Sequence, residues 1–558
     1  MTLTPDQRRQ LLWFFTLTFV LLAAGIGLRD PWPADEPRFV LAAKQMWESG
    51  EWLFPHRGRE LYPDKPPLYF WLLGTAYAVV RDWTWAFLLP SLFAALGTLA
   101  LTYDLGRRLW SHRAGLCAAI AVLAAAQFVY HAKRAQIDPV VVFFITLGVY
   151  GILRHTLLGP NWRWYWIGCF VAGLGVITKG VGFLALLALL PYAWMRWRGW
   201  TGLTPPDRGN TGRWLLGAAA FIGAIMFWFL PMLATALTSG DPEHRAYLDE
   251  LLLRQTATRY ANAWHHYQPP WYFLGVIAGF WLPFSLALPW LLPRWRDALR
   301  ARDPKVWLPL SWALLVLLFF SASAGKRDMY ILPMLPMVAL AAAPYLDTIA
   351  ASKRFRALLL AFVALLGAVF VAAGALALSG EPRFELKLES ERGLAPGADQ
   401  LWWLVGSIGS AMLVTLTAWR RGILRACAIA LSLLVLALFT GTALLLDDES
   451  SAGGVMQRAR AMAGPEAQIG LVAWKEQNLL QAVGPTVEFG FKRTPEQQFA
   501  DAAAWLHVAP RSRRLFVLDE AIADCARRDA RQLVGTANRR QWYLLDAETV
   551  PVRCVSDR

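Results

Sequence analysis

Asp35 and Glu36 stand near the head of a polar stretch, residues 29–82, that follows directly on the first apolar segment. A carboxylate this close to hydrocarbon is costly unless it is paired or serves a ligand. The same mixture recurs in Tyr62-Pro63-Asp64-Lys65-Pro66-Pro67, in Lys133-Arg134 followed by Asp138, and in Thr178-Lys179. It appears again from Arg254 through Arg259 to His265-His266, and in Gly325-Lys326-Arg327-Asp328-Met329-Tyr330. Lysine and arginine suit phosphate, carboxylates suit a sugar or a metal, and aromatic rings suit stacking.

Asp35 is the first candidate for a reacting carboxylate, with Glu36 and Asp138 as partners. Each has a plainer duty available. Asp35 could cap a helix from Pro37 to Glu48, Glu36 is favourable in a first helical turn, and Asp138 precedes Pro139 and could cap the fourth span. Lys65 is the best phosphate ligand, because a lone ammonium held between prolines is a fixed cation. Arg38, Tyr62, Lys326, Arg327 and Tyr330 are second donors, with anchoring at the membrane interface as the competing duty. Lys179 lies between two short apolar runs, and Arg254 and Arg259 are candidates for an acceptor's phosphates. His265 and His266, with Asp64, could contribute to a divalent zinc or magnesium site. That spacing supplies one or two of the three or four ligands such a site needs.

The elements that must position these residues are membrane spans. Of 558 residues, 56% are hydrophobic and 17% charged, with 29 Trp, a composition that excludes an ordinary water-soluble domain. Apolar runs long enough to cross about 30 Å of hydrocarbon begin near Leu11, Trp83, Ala114, Val140, Trp214, Trp271, Val306, Met329, Ala357, Leu401 and Ile423. Two shorter runs, from Trp164 and from Val181, complete an expected thirteen. Pro66 to Val80 reads as a re-entrant or interfacial helix, because counting it as a span would place the Arg107-Arg108 pair outside.

Loop charge sets the orientation. One alternate set of loops holds 22 basic residues in 77 positions and the other 18 in 128, so the first set is expected to be cytoplasmic. All the polar clusters then share the outer side, which in a two-membrane bacterium is the periplasm. Residues 1–446 form the expected transmembrane domain and 447–558 a periplasmic α/β domain, with strands at Ile469–Trp474, Val487–Phe491, Arg514–Leu518 and Trp542–Leu545. Helices are expected at Thr494–His507 and Glu520–Arg531. This tail carries 15 basic and 15 acidic residues, so the net charge of +15 lies in membrane loops, and no nucleic-acid partner is expected. An oxidising compartment permits a Cys525–Cys554 disulfide. The sequence contains no Walker loop, zinc-finger spacing or GxGxxG element.

Asp-Glu in a long first outer loop, a second Asp after a basic pair, and Lys-Arg-x-x-Tyr-x-Leu-Pro opening a later helix resemble the polytopic GT-C glycosyltransferases that use polyprenyl-phosphate sugars. Tyr-Pro-Asp-Lys-Pro-Pro, Gly-Lys-Arg-Asp-Met-Tyr-Ile-Leu-Pro and the outer α/β tail look closest to bacterial 4-amino-4-deoxy-L-arabinose lipid A transferases. That resemblance implies a GT-C fold and an inverting transfer of aminoarabinose from undecaprenyl phosphate to lipid A, with polymyxin resistance as the consequence. It also implies a first-loop acid, Asp35, at the reacting centre and a further acid at Asp138. A protein O-mannosyltransferase-like enzyme with a hydroxyl acceptor is the nearest alternative. A transporter would instead place charged groups at the bilayer midplane.

Overall fold

The computed structural model describes residues 3–205, 208–252, 267–379 and 398–556. Among the described residues eight helices are long and apolar enough to cross a membrane, and ten if each of two bent pairs is one span. The chain is therefore a multi-pass helical membrane protein, as its composition requires. The runs from Trp83, Val140, Trp214, Val306, Ala357, Leu401 and Ile423 lie in such helices, and that from Met329 enters one at Met334 after a 3-10 turn, Asp328–Ile331. Those from Ala114 and Trp271 are bent: His112–Ala124 turns by 72° into Ala126–Ala132, and Tyr272–Phe280 by 99° into Phe284–Arg300. Pro283 sits in the second break, where a missing N–H favours ending a helix. Leu11 falls in the helix Pro5–Ala23, which Thr4 and Gln7 open with a capping box.

The segment after Pro66 is a helix of 13 residues, Leu68–Val80. At about 1.5 Å per residue it is too short to cross hydrocarbon. The two short runs become Trp162–Lys179, closed by Gly180 in the left-handed region (φ +82°), and a 3-10 turn, Gly182–Ala188, that continues as Leu189–Trp197. Glycine takes that conformation without a Cβ penalty, so the helix stops immediately after Lys179.

Beyond the last long helix, Ile423–Ser450, the chain folds around a five-stranded sheet. Strands β1 (His56–Arg57) and β2 (Glu60–Leu61) form a small hairpin in the first loop. The tail supplies β3 (Gln468–Val472), β4 (Thr486–Glu488), β5 (Arg513–Leu518), β6 (Gln532–Ala537) and β7 (Arg540–Leu545), in the order β4-β3-β5-β7-β6. β3 runs parallel to β4 and β5, whereas β7 is antiparallel to β5 and β6. The helix Pro495–Val508 packs on this sheet, with Phe499 and Leu506 buried.

One expectation fails here. Glu520–Arg531 is not a helix but two 3-10 turns, Asp519–Ala521 and Arg528–Ala530. The segment is held from outside itself, by the Cys525–Cys554 disulfide and by the Arg527 amide on the Thr549 carbonyl at 2.9 Å. Tertiary bonds therefore override its helical propensity.

The tail docks on the first loop through charged contacts. Arg59 donates to Glu488 from Nε at 3.0 Å and from its amide at 2.9 Å, and Glu60 accepts from the Lys492 amide at 3.0 Å. Arg57 stacks over Phe491 at 3.4 Å.

Candidate active site

Pro37 in the first turn sets the start of the helix Glu36–Ser49, and Asp35 occupies the residue before it without making a capping hydrogen bond. Its carboxylate lies instead between two guanidiniums, with Arg38 3.8 Å from one oxygen and Arg327 3.6 Å from the other. Neither distance is a hydrogen bond, so the three charges are gathered without closing on one another. Arg38 reaches Asp35 because residues three apart share a helix face. Arg327 comes from the connection between the helices Pro304–Ala322 and Met334–Ala351. The side chain of Asp35 keeps 18% of its surface and that of Arg327 keeps 40%, so a ligand can reach both.

Glu36 is placed differently. It has no exposed surface, and Arg29 grips it with two hydrogen bonds of 2.6 and 2.8 Å. The amides of Trp32 and Ala135 donate to it at 2.8 and 3.0 Å, and Arg134 lies 3.7 Å away. Burial pushes its carboxyl up, but Arg29, Arg134 and the Trp32 amide outweigh that and hold it below the usual carboxylate range. Glu36 thereby pins the first loop to the loop before Asp138, and Asp35 is the residue immediately before it in the chain.

Asp138 lies inside the first turn of Ile137–Leu157, whose N-cap is Gln136, so it does not cap the span. It pairs with Lys179, whose ammonium also sits 5.6 Å from the centre of the Tyr330 ring. Tyr69, wholly buried, lies within electrostatic range of both Glu36 and Asp138.

Tyr62 is buried against Arg38, and burial, then Asp64, push its hydroxyl up to about 12, so it stays protonated and able to donate at neutral pH. Asp64 and Lys65 follow it, both half-buried, and Pro67 occupies the residue before the helix Leu68–Val80. Lys326 is almost wholly buried, and its ammonium donates to the carbonyls of Gln268 at 2.9 Å and Ser323. Arg254, Arg259, His265 and His266 lie outside the described residues. Among the described residues no three or more His, Cys, Asp or Glu side chains are grouped to hold a metal ion.

Two site residues were not legible in the sequence. Arg29 reads only as the end of a span. Glu476 lies in the tail, yet it accepts from Arg38 Nε at 2.8 Å and stands 3.5 Å from Arg57. It bridges two cations of the first loop from 438 and 419 positions away, a separation no local pattern signals.

Comparison with known proteins agrees with the motif resemblance. Residues 64–206 match the family described as dolichyl-phosphate-mannose-protein mannosyltransferase. The chain is 31% identical over 378 residues to an undecaprenyl phosphate-alpha-4-amino-4-deoxy-L-arabinose arabinosyl transferase of Pseudomonas fluorescens, covering 66% of this chain and 64% of that one. A Yersinia pestis protein of the same name is 28% identical over 357 residues, covering 62% and 60%. The chain thus spans a little under two thirds of the length of these relatives. The crystal structure of ArnT from Cupriavidus metallidurans bound to undecaprenyl phosphate superposes with a TM-score of 0.74 at 19% identity, over 96% of this chain and 98% of that one. The two chains share one fold, which is the polytopic glycosyltransferase fold expected from the motifs.

Proposed function

We propose that this chain transfers 4-amino-4-deoxy-L-arabinose from undecaprenyl phosphate to a phosphate of lipid A on the outer face of a bacterial inner membrane. The observation that carries the reading is Asp35 held, partly exposed, between Arg38 and Arg327. One carboxylate flanked by two guanidiniums suits a reaction in which a cationic sugar centre develops between two phosphates. The names of the similar proteins supply the donor and the sugar.

An acceptor phosphate monoester, with a second pKa of about 6, already carries a nucleophilic oxyanion at neutral pH. Its oxygen attacks the anomeric carbon from the face opposite the polyprenyl phosphate. The old carbon–oxygen bond breaks, its electron pair leaves with the lipid phosphate, and the anomeric centre inverts. Asp35 orients the acceptor and stabilises positive charge on the sugar ring. Arg38 and Arg327 hold phosphate oxygens, and Lys65 stabilises the departing phosphate. Asp138, Lys179 and Tyr330 form a second wall, and Glu36 positions Asp35 rather than touching substrate. Replacing negative charge on lipid A with an aminosugar weakens attraction of cationic peptides, hence polymyxin resistance. The loop-charge asymmetry supports an outward-facing site, and the Cys525–Cys554 bond supports a tail in an oxidising compartment.

Mass spectrometry of lipid A from cells with and without the protein tests the reading. One aminopentose gained per modified phosphate is expected. Unchanged lipid A, together with glycosylation of a peptide Ser or Thr by the purified protein, would establish the hydroxyl-acceptor alternative instead.

Glu476 acts through Arg38. Glu476→Gln is expected to slow transfer about 10- to 100-fold, the penalty of a slightly misplaced catalytic group. Restoring the pair in the reverse sense, Arg38→Glu with Glu476→Arg, should not restore rate, because Asp35 would then face a carboxylate. Recovery of full rate in that double variant would show the pair to be structural only.

A further inference from the structure

At the end of the Ile137–Leu157 helix remote from Asp138, two arginines pair with one acid and a third reaches it through a tyrosine hydroxyl. Asp104 accepts from Arg107 at 2.6 Å, from Arg108 at 2.5 Å and from the Tyr150 hydroxyl at 2.5 Å. Arg154 in turn donates to Tyr150 at 3.1 Å and lies 5.0 Å from the centre of the Trp164 ring. Both oxygens of Asp104 are thus committed, and one negative charge is set against three fixed positive ones. Arg107, Arg108 and Arg154 line an open cavity of about 270 Å³ together with Leu158, Gly159, Pro160 and Asn161. Asn161 also caps the 18-residue helix Trp162–Lys179, whose positive end therefore opens on the same space.

We propose that this cavity binds the phosphate of an anionic phospholipid headgroup, such as phosphatidylglycerol, in the leaflet opposite the catalytic centre. The excess of two positive charges selects an anion, and guanidinium forks match phosphate oxygens in two-point contact. A lipid rather than a free anion is favoured by the surroundings. Trp162, Trp164 and Trp166 are amphipathic rings of the kind that sit at headgroup depth, and Leu158, at the cavity's edge, is 40% exposed. A helix of 21 residues rises roughly 30 Å, so Asp138 and Arg154 lie near opposite membrane faces. The loop charges assign this face to the cytoplasm, where basic pockets between helices recognise anionic headgroups. This inference is independent of the proposed reaction.

Native mass spectrometry of the full chain in detergent, titrated separately with phosphatidylglycerol, phosphatidylcholine and inorganic phosphate, tests it. Phosphatidylglycerol should bind at least tenfold more tightly than phosphatidylcholine, and Arg108→Gln with Arg154→Gln should remove that preference. Equal binding of the two lipids, or an unchanged preference in the double variant, would overturn the proposal. Phosphate binding with no lipid preference would mark a site for soluble anions and overturn it too. Should the double variant fail to insert, the single Arg154→Lys variant decides: loss of the two-point contact must weaken phosphatidylglycerol binding at least threefold, and unchanged binding counts against the site.

Discussion

Asp35→Asn is expected to slow sugar transfer by about 10²- to 10³-fold, the loss typical when one preorganised electrostatic group is removed from a reacting centre. The substitution keeps shape and volume and deletes only the charge. Because Asp35 is partly exposed and its two ion pairs are longer than hydrogen bonds, the cost in stability should stay within about 1 kcal/mol. Single-turnover rates with polyprenyl-linked sugar and lipid A, set beside thermal unfolding, separate the two effects. A fall in kcat and kcat/KM together would place the charge in the transition state, and a rise in KM alone would make it a binding group. A variant that retains near-normal turnover while folding normally would remove Asp35 from the reaction.

Glu36→Gln should have the opposite signature, with a large loss of stability at its root. The amide cannot accept at both oxygens, so Arg29 is left with a mismatched donor in a site from which water is excluded. Breaking a buried ion pair by removing one partner costs about 3–5 kcal/mol, a factor of roughly 10² to several thousand in the folding equilibrium. The native protein should show the same dependence on pH. Since the Glu36 carboxyl is held below its unfolded value of about 4.3, its contribution is fully present above that pH. It is lost as pH falls through the depressed folded value. Denaturation followed from pH 7 to pH 3 should therefore be shallower for Glu36→Gln than for the parent. Parallel curves for the two proteins would mean that Glu36 carries no differential charge.

The apolar skeleton was legible because membrane spans are a one-dimensional signal: a run of some 20 uncharged residues has few alternatives to a helix. Bends were not, since the breaks at Ala125 and around Pro283 interrupt runs that read as continuous. In the tail, β3, β4, β5 and β7 follow alternating or apolar runs. By contrast, β6 begins on the edge of the sheet with exposed Gln532 and Leu533, and the segment before it, expected as a helix, is held in 3-10 turns by tertiary bonds. The site divides in the same way. Asp35 and Arg38 were visible because they share one helical turn, and Arg327 because it sits in a polar knot before a span. Glu36 was read as an acid available for chemistry, whereas its partners Arg29 and the Ala135 amide, supplied by packing, leave it no surface. Glu476 had no sequence signal, since its meaning comes only from the hairpin and helix that fold against it.

The bridge from Glu476 to Arg38 and Arg57 fixes an order of events during biogenesis. Arg38 and Arg57 are translated early and Glu476 late, so a nascent chain holds both arginines without the carboxylate that bridges them until the tail has been made. A chain terminated upstream of the sheet keeps its spans but lacks this bridge, so it is expected to transfer sugar more slowly than the full chain, as the Glu476→Gln variant is.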